Sequence, residues 1–179
     1  MKVYVMRHGT TIWNEKGITQ GRTNNRLSNA GKQNTEVQAE FYKDIKFDII
    51  LCSPLFRTVQ TANIMNKYHN VKIIRDENLI EIEQGIFTGR HKDSLSPKEL
   101  ELKNSKSKEC GMESYESVYK RTQIFIEKLK SFNYKTVLII THNCNASYIE
   151  DIILNKNIDF NDKKFNRNFK NAEIKEFNI

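Results

Sequence analysis

Four short runs dominated by apolar and β-branched residues punctuate the chain, at residues 3–6, 48–51, 71–74 and 136–140. Short continuous apolar runs of this kind predict strands buried on both faces, as in a parallel sheet. The intervening stretches carry helical signals. Residues 29–42 follow Ser28, whose hydroxyl suits an N-cap. Residues 54–68 open on Pro54, whose fixed φ and missing N–H fit a first helical turn. Within 114–131, Val118, Phe125 and Leu129 recur at helical spacing with Ile126 beside them. A further helix is predicted over 145–154, and the apolar positions of 172–177 predict a last strand. Strands alternating with helices predict an α/β three-layer sandwich, with a mostly parallel central sheet and helices on both faces. A length of 179 residues is expected to form a single domain, 1–179.

In such sheets the working site lies beyond the carboxyl ends of the strands. Polar clusters stand at those places. Arg7-His8-Gly9 follows the first strand, Ser53-Pro54 and Arg57 the second, and His142 the run 136–140. A neutral imidazole is a competent nucleophile near pH 7, since histidine titrates near about 6.5. Arg7 next to His8 supplies a fixed cation, and Gly9 lacks a side chain that would obstruct an approaching anion. Arg57 falls in the first turn of the helix predicted from Pro54, where its planar fork suits a tetrahedral oxyanion. His142 offers a second imidazole. Glu81 and Glu83 compete as proton donors to a departing alkoxide. Asn14 and Gln20 supply amides that orient an anion without changing the charge.

The net charge of +7 is concentrated in residues 103–108 and 163–170, and is read as a solvated basic surface or a field that draws anionic substrates. No zinc-finger or RNA-binding signature accompanies it, so nucleic acid is not an expected partner. Cys52, Cys110 and Cys144 are odd in number and lack CxxC spacing, which predicts reduced thiols and no structural zinc. Only four apolar residues precede Arg7, too few for a signal-peptide core, and no run approaches the roughly 20 apolar residues of a membrane span. A cytoplasmic location without membrane association is expected. Oligomeric state is not legible.

Taken together, these clusters resemble the histidine phosphatase superfamily, the phosphoglycerate mutase-like fold. Its opening pattern Arg-His-Gly-x-Thr-x-x-Asn is matched by Arg7-His8-Gly9-Thr10-Thr11-Ile12-Trp13-Asn14. Its Ser-Pro-Leu-x-Arg-Thr-x-Gln-Thr-Ala segment is matched at residues 53–62, Leu-x-Glu-x-x-x-Gly at 79–85, and its Thr-His pair at Thr141-His142. The resemblance selects Glu81 over Glu83. It implies a histidine acid phosphatase-type hydrolase without metal or cofactor. In that scheme His8 takes the phosphoryl group of a small phosphomonoester, and Glu81 serves as general acid and base. Arg7, Arg57 and His142 hold the phosphoryl oxygens, with Gly9, Asn14, Gln20, Gly21 and Asn143 completing the phosphate site. The chain departs from the pattern at Asn24, Arg26 and Asn143, where the family has Asp, Pro and Gly. Asn143 is expected to narrow the phosphate pocket.

Family mutases carry an insertion with paired arginines; residues 90–111 here are short, Lys-rich and lack such a pair. A phosphatase similar to the branch that includes α-ribazole phosphatases therefore fits better than a mutase or an inactive phospho-ligand binding module. Arg22, Arg26 and Arg90 suggest a substrate with more than one anionic group.

Overall fold

The structure is a computed structural model that describes residues 1–105, 108–160 and 169–179. Five strands form one sheet in the order β3-β2-β4-β1-β5. They are β1 (Lys2–Arg7), β2 (Ile49–Cys52), β3 (Ile73–Arg75), β4 (Thr136–Thr141) and β5 (Ile174–Asn178). The first four are parallel, and β5 runs antiparallel along β1.

Strand side chains alternate between two cores, as a period of two requires. Val3, Val5, Ile49, Leu51, Val137 and Ile139 face one side. There they pack on Phe125, Ile126 and Leu129 of α5 (Tyr115–Lys130) and on Ala146 and Ile149 of α6 (Asn143–Ile153). Tyr4, Met6, Ile50, Cys52, Leu138 and Ile140 face the other. They meet Ala39 of α2 (Asn29–Phe41) and Ala62 and Met65 of α3 (Phe56–Met65). The predicted three-layer sandwich is therefore present.

The boundaries differ from expectation in ways that have local causes. Ser28 caps α2 as predicted, accepting from Gly31 N at 3.0 Å. Pro54, however, does not start α3. Leu55 remains extended as the N-cap, and the Thr58 hydroxyl donates to Leu55 O at 2.6 Å, so the helix begins at Phe56. Arg57 still lies in the first turn. The predicted end at 68 is reached by a 3₁₀ turn, Asn66–Tyr68. His142 is itself the N-cap of α6, which begins two residues earlier than expected. Two helices were not foreseen. One is the single turn α1 (Ile12–Glu15), capped by Thr11; the other is α4 (Pro97–Asn104), capped reciprocally by Ser96 and Glu99. The three cysteines are buried and none is in a disulfide, as predicted. The basic stretch 163–170 lies mostly outside the described residues.

Candidate active site

Sheet register brings the two histidines together. Arg7 pairs with Thr141 across the parallel β1–β4 ladder, so each histidine is the next residue beyond its strand. His8 N continues the ladder to Thr141 O at 2.9 Å, and the two imidazole centroids lie 5.2 Å apart. On the other side of β4, Ser53 leaves β2 and its hydroxyl sits 2.8 Å from His142 Nε2.

His8 is 2 % exposed, and its Nδ1 lies 2.7 Å from Gly9 O. A carbonyl can only accept, so Nδ1 carries the proton and the Nε2 lone pair is left free. Burial, then the charges of Arg57 and Arg7, holds the His8 pKa well below the ordinary imidazole value. His142 is lowered in the same way, by burial first, then Arg57 and His8. Both rings are thus neutral at pH 7.

These shifts set a stability expectation. The unfolded chain binds protons near pH 6.5 that the folded histidines refuse, so their contribution is complete above about 6.5 and is lost as pH falls through the depressed folded values. Denaturant midpoints measured from pH 7.5 downwards should decline below 6.5, each histidine contributing up to about 1.4 kcal/mol per pH unit. A midpoint that stays flat through this range contradicts the assignment.

Arg57 is fully buried. Its Nη atoms donate to Thr23 O at 2.7 Å and Gly21 O at 2.9 Å. Burial lowers its pKa to about 10, the neighbouring Arg7 adding to the fall and Glu81 opposing it. Arg7 donates to Phe169 O at 2.8 Å. Arg7 Nε, Arg57 Nε and His142 Nδ1 are buried with no hydrogen-bond partner among the described residues. When Ser53 donates to His142 Nε2, the ring proton sits on Nδ1, 3.9 Å from Glu81 Oε2. The site therefore holds unspent donors and an excess of buried positive charge, a combination that favours a bound anion.

Glu81 is set by a loop that three donors hold. Thr141 Oγ1 donates to Leu79 O at 2.8 Å, and Arg121 Nη1 and Asn145 Nδ2 donate to Asn78 O at 2.7 and 3.1 Å. Arg22 Nε donates to Glu81 O at 3.0 Å. Both carboxylates accept from the backbone that follows them, Glu81 Oε1 from Ile82 N at 2.9 Å and Glu83 from Gln84 N and Gly85 N. Of the two competing carboxylates, only Glu81 lines the cleft that holds Arg7 and His8.

That cleft has a volume of about 300 Å³ and also takes in Asn14, Gln20, Gly21 and Asn143. Asn14 Oδ1 accepts from Thr11 N at 3.1 Å and Asn171 Nδ2 at 3.3 Å, which leaves its NH₂ to donate. Asn143 lines the cleft, and its Oδ1 also accepts from Phe169 N at 3.2 Å, which braces the residue whose carbonyl receives Arg7.

Gly9 corrects an expectation: like Arg57 and His142 it is not among the residues lining the cleft, but unlike Arg57 Nε and His142 Nδ1 its donor is already spent, Gly9 N donating to Thr61 Oγ1 at 3.0 Å. A Cβ there would come within 2.4 Å of Thr35 Oγ1 and 3.1 Å of Gly31 O, so the missing side chain serves the packing of β1 against α2. Gly9→Ala is expected to cost about 1–3 kcal/mol in a denaturation experiment through overpacking; a neutral result would contradict the close contact.

The arginines picked out for a second anionic group fare differently from the prediction. Arg22 is paired with Glu113 at 3.1 Å, Arg90 with Glu99, and Arg26 does not line the cleft. Besides Arg7, the cations lining the cleft without an ion-pair partner among the described residues are Lys92 and Lys103, the latter opening the basic stretch 103–108. Among the described residues, no group of three or more His, Cys, Asp or Glu is gathered to hold a metal ion, and no helix is long and apolar enough to cross a membrane.

A parallel sheet that delivers two histidines, two arginines and one glutamate to one carboxyl edge defines an α/β protein built around an anion site. The chain belongs to the histidine phosphatase superfamily, branch 1, whose family model matches residues 3–178. It is 30% identical over 149 residues to phosphoserine phosphatase 1 of Hydrogenobacter thermophilus, a match spanning 79% of this chain and 71% of that one. The α-ribazole phosphatase of Shigella flexneri shares the fold with a TM-score of 0.87 at 20% identity, covering 100% of this chain and 91% of that one. A phosphoglycerate mutase from Bacillus anthracis aligns with a TM-score of 0.80 at 24% identity, covering 98% and 86%.

Proposed function

We propose that the protein is a phosphomonoesterase that hydrolyses a small phosphorylated metabolite through a phosphohistidine on His8, with Glu81 as general acid and base. The observation that carries this reading is the unspent donor set beside His8: the buried, unpartnered Arg7 Nε, Arg57 Nε and His142 Nδ1. A buried donor left unpaired costs about 1–3 kcal/mol. A phosphoryl dianion accepts from all of them and offsets the charge of the two arginines. The phosphatases among the relatives support the same class.

The chemistry follows from the tautomer. His8 Nε2 attacks phosphorus in line, a P–N bond forms, and the P–O bond to the alcohol breaks. Glu81 gives its proton to the departing oxygen. It then takes a proton from water as that water attacks phosphorus, the P–N bond breaks, and inorganic phosphate leaves. Arg7, Arg57 and His142 hold the non-bridging oxygens, a charge-stabilising role that metal ions fill in other phosphoryl-transfer enzymes. Asn14 and Gln20 orient the group. Because the His8 pKa is depressed, the nucleophile of the free enzyme stays neutral in mildly acidic solution, in keeping with an acid phosphatase type.

A panel of phosphomonoesters hydrolysed in ¹⁸O-water tests the reading. The expected product is inorganic phosphate carrying one solvent oxygen, formed at a rate that EDTA does not change. Isomerisation of 3-phosphoglycerate, primed by a bisphosphate and faster than hydrolysis, would make the protein a mutase instead. Absence of turnover on every member would remove the enzyme reading.

A further inference from the structure

The cleft extends past the reaction centre to an outer wall with its own architecture. Segments 17–19 and 89–92 are laced together by backbone hydrogen bonds: Thr19 N to Arg90 O at 2.9 Å, Gly89 N to Thr19 O at 2.8 Å, and Lys92 N to Gly17 O at 3.2 Å. This strip sets Thr19 and Lys92 into the cleft. Helix α4 then lays Lys103 against it. The Lys103 ammonium donates to Thr19 Oγ1 at 2.8 Å and stands 5.8 Å from the centre of the Phe87 ring.

The charges on this wall are unbalanced. Arg90 is answered by Glu99 and Arg22 by Glu113. Neither Lys92 nor Lys103 has a carboxylate within ion-pair distance among the described residues. Among the described residues, Glu81 is the only acidic side chain lining the cleft, against Arg7, Lys92 and Lys103. A phosphoryl dianion at His8 is served by Arg7 and the buried Arg57, which leaves the two lysines unmatched. Lys103 is also half-buried; burial first, then the charges of Lys92 and Arg90, lowers its pKa. Holding an ammonium in such a place is unfavourable without an anion to meet it.

We infer that Lys103, with Thr19 and Lys92, forms a second anion subsite, and that the substrate is a small phosphomonoester bearing a further anionic group such as a carboxylate. The inference rests on the phosphatase reading for its substrate, and on the wall's own geometry for its ligand. The second anion accepts from the Lys103 ammonium, which retains a further donor while bonded to Thr19. It orients the ester so that the phosphoryl group meets His8.

Two non-hydrolysable phosphonates that differ by one carboxylate separate the subsite from the chemistry. Calorimetry of 3-phosphonopropanoate and propylphosphonate with the full-length protein should show the carboxylate-bearing ligand bound roughly ten- to hundredfold more tightly, as a charge-assisted hydrogen bond allows. In Lys103→Met the ratio between the two ligands should collapse towards one, and in Lys103→Arg it should largely return. Equal affinity of the wild-type protein for both ligands overturns the inference, as does a ratio that survives in Lys103→Met. Circular dichroism confirms that each variant is folded, and a Thr19→Val variant that narrows the ratio is the second reading should Lys103→Met fail to fold. A wild-type preference for the carboxylate without turnover of any ester would keep the subsite and defeat the phosphatase reading instead.

Discussion

Replacing His8 by alanine is expected to lower kcat by roughly 10,000-fold or more, the scale seen when a covalent nucleophile is lost. Among the described residues lining the cleft, His8 is the only histidine, and its tautomer is fixed: Nδ1 is tied to Gly9 O at 2.7 Å, which leaves the Nε2 lone pair free. The second ring does not replace it. His142 Nε2 is engaged by Ser53 at 2.8 Å, and its Nδ1 is buried as a donor. The anion site should survive the substitution, because Arg7, Arg57 and His142 are untouched. Steady-state kinetics paired with vanadate or phosphate binding checks this. A His8→Ala enzyme with kcat within tenfold of the wild type contradicts the assignment; loss of turnover with retained anion affinity agrees with it.

Glu81→Gln is the second large effect, an expected fall of about 100- to 10,000-fold in kcat for esters of ordinary alcohols. Its signature is dependence on the leaving group. An alkoxide needs the proton that Glu81 donates, whereas p-nitrophenolate leaves without one, so the phosphorylation step for p-nitrophenyl phosphate should suffer much less. The carboxylate is 3.9 Å from His142 and lines the cleft beside Arg7 and His8, which places it within reach of the departing oxygen. Equal loss for alkyl and nitrophenyl esters in single-turnover measurements would assign Glu81 to binding instead of proton transfer. Glu83→Gln serves as the contrast, because that side chain does not line the cleft.

The convergence of the candidate site residues was legible because parallel strands convert sequence into position with little ambiguity. His8 and His142 each follow a buried strand, and in-register pairing of Arg7 with Thr141 then makes them neighbours. Arg57 was placed correctly even though Pro54 was misread as the helix start, since a shift of two residues left it within the first turn. Gly9 was misread for a different reason. A missing side chain says that something lies close, without saying what, and here it is Thr35 on α2.

The outer wall was not legible, and the reason is physical. Its segments are short turns and one weakly amphipathic helix, α4, whose periodicity carries no signal, and its meaning lies in which charges are paired. Arg22 and Arg90 looked like free cations along the chain, but Glu113 and Glu99 meet them in space. Lys103 stood in a basic run readable as a solvated surface or as a field for anionic substrates, and its bond to Thr19, 84 residues away, is what places it in the cleft. Asn143 likewise needed the position of Phe169, 26 residues on, before its brace role was visible. Pairing between distant side chains is a tertiary fact that local pattern does not encode.

Burying Arg57 and Arg7 with unspent donors lowers stability, and in the proposed mechanism it preorganises the site for charge developing on phosphorus. The central claim is that this site exists to carry a phosphoryl group on His8. Its most direct test is a rapid-quench experiment with ³²P-labelled substrate, stopped in alkali to preserve a phosphoramidate bond and followed by peptide mass spectrometry. A transient label that alkali spares and acid releases is expected on His8 and is expected to be absent from His8→Ala. Turnover without any labelled protein, or a label on a residue other than His8, would contradict it.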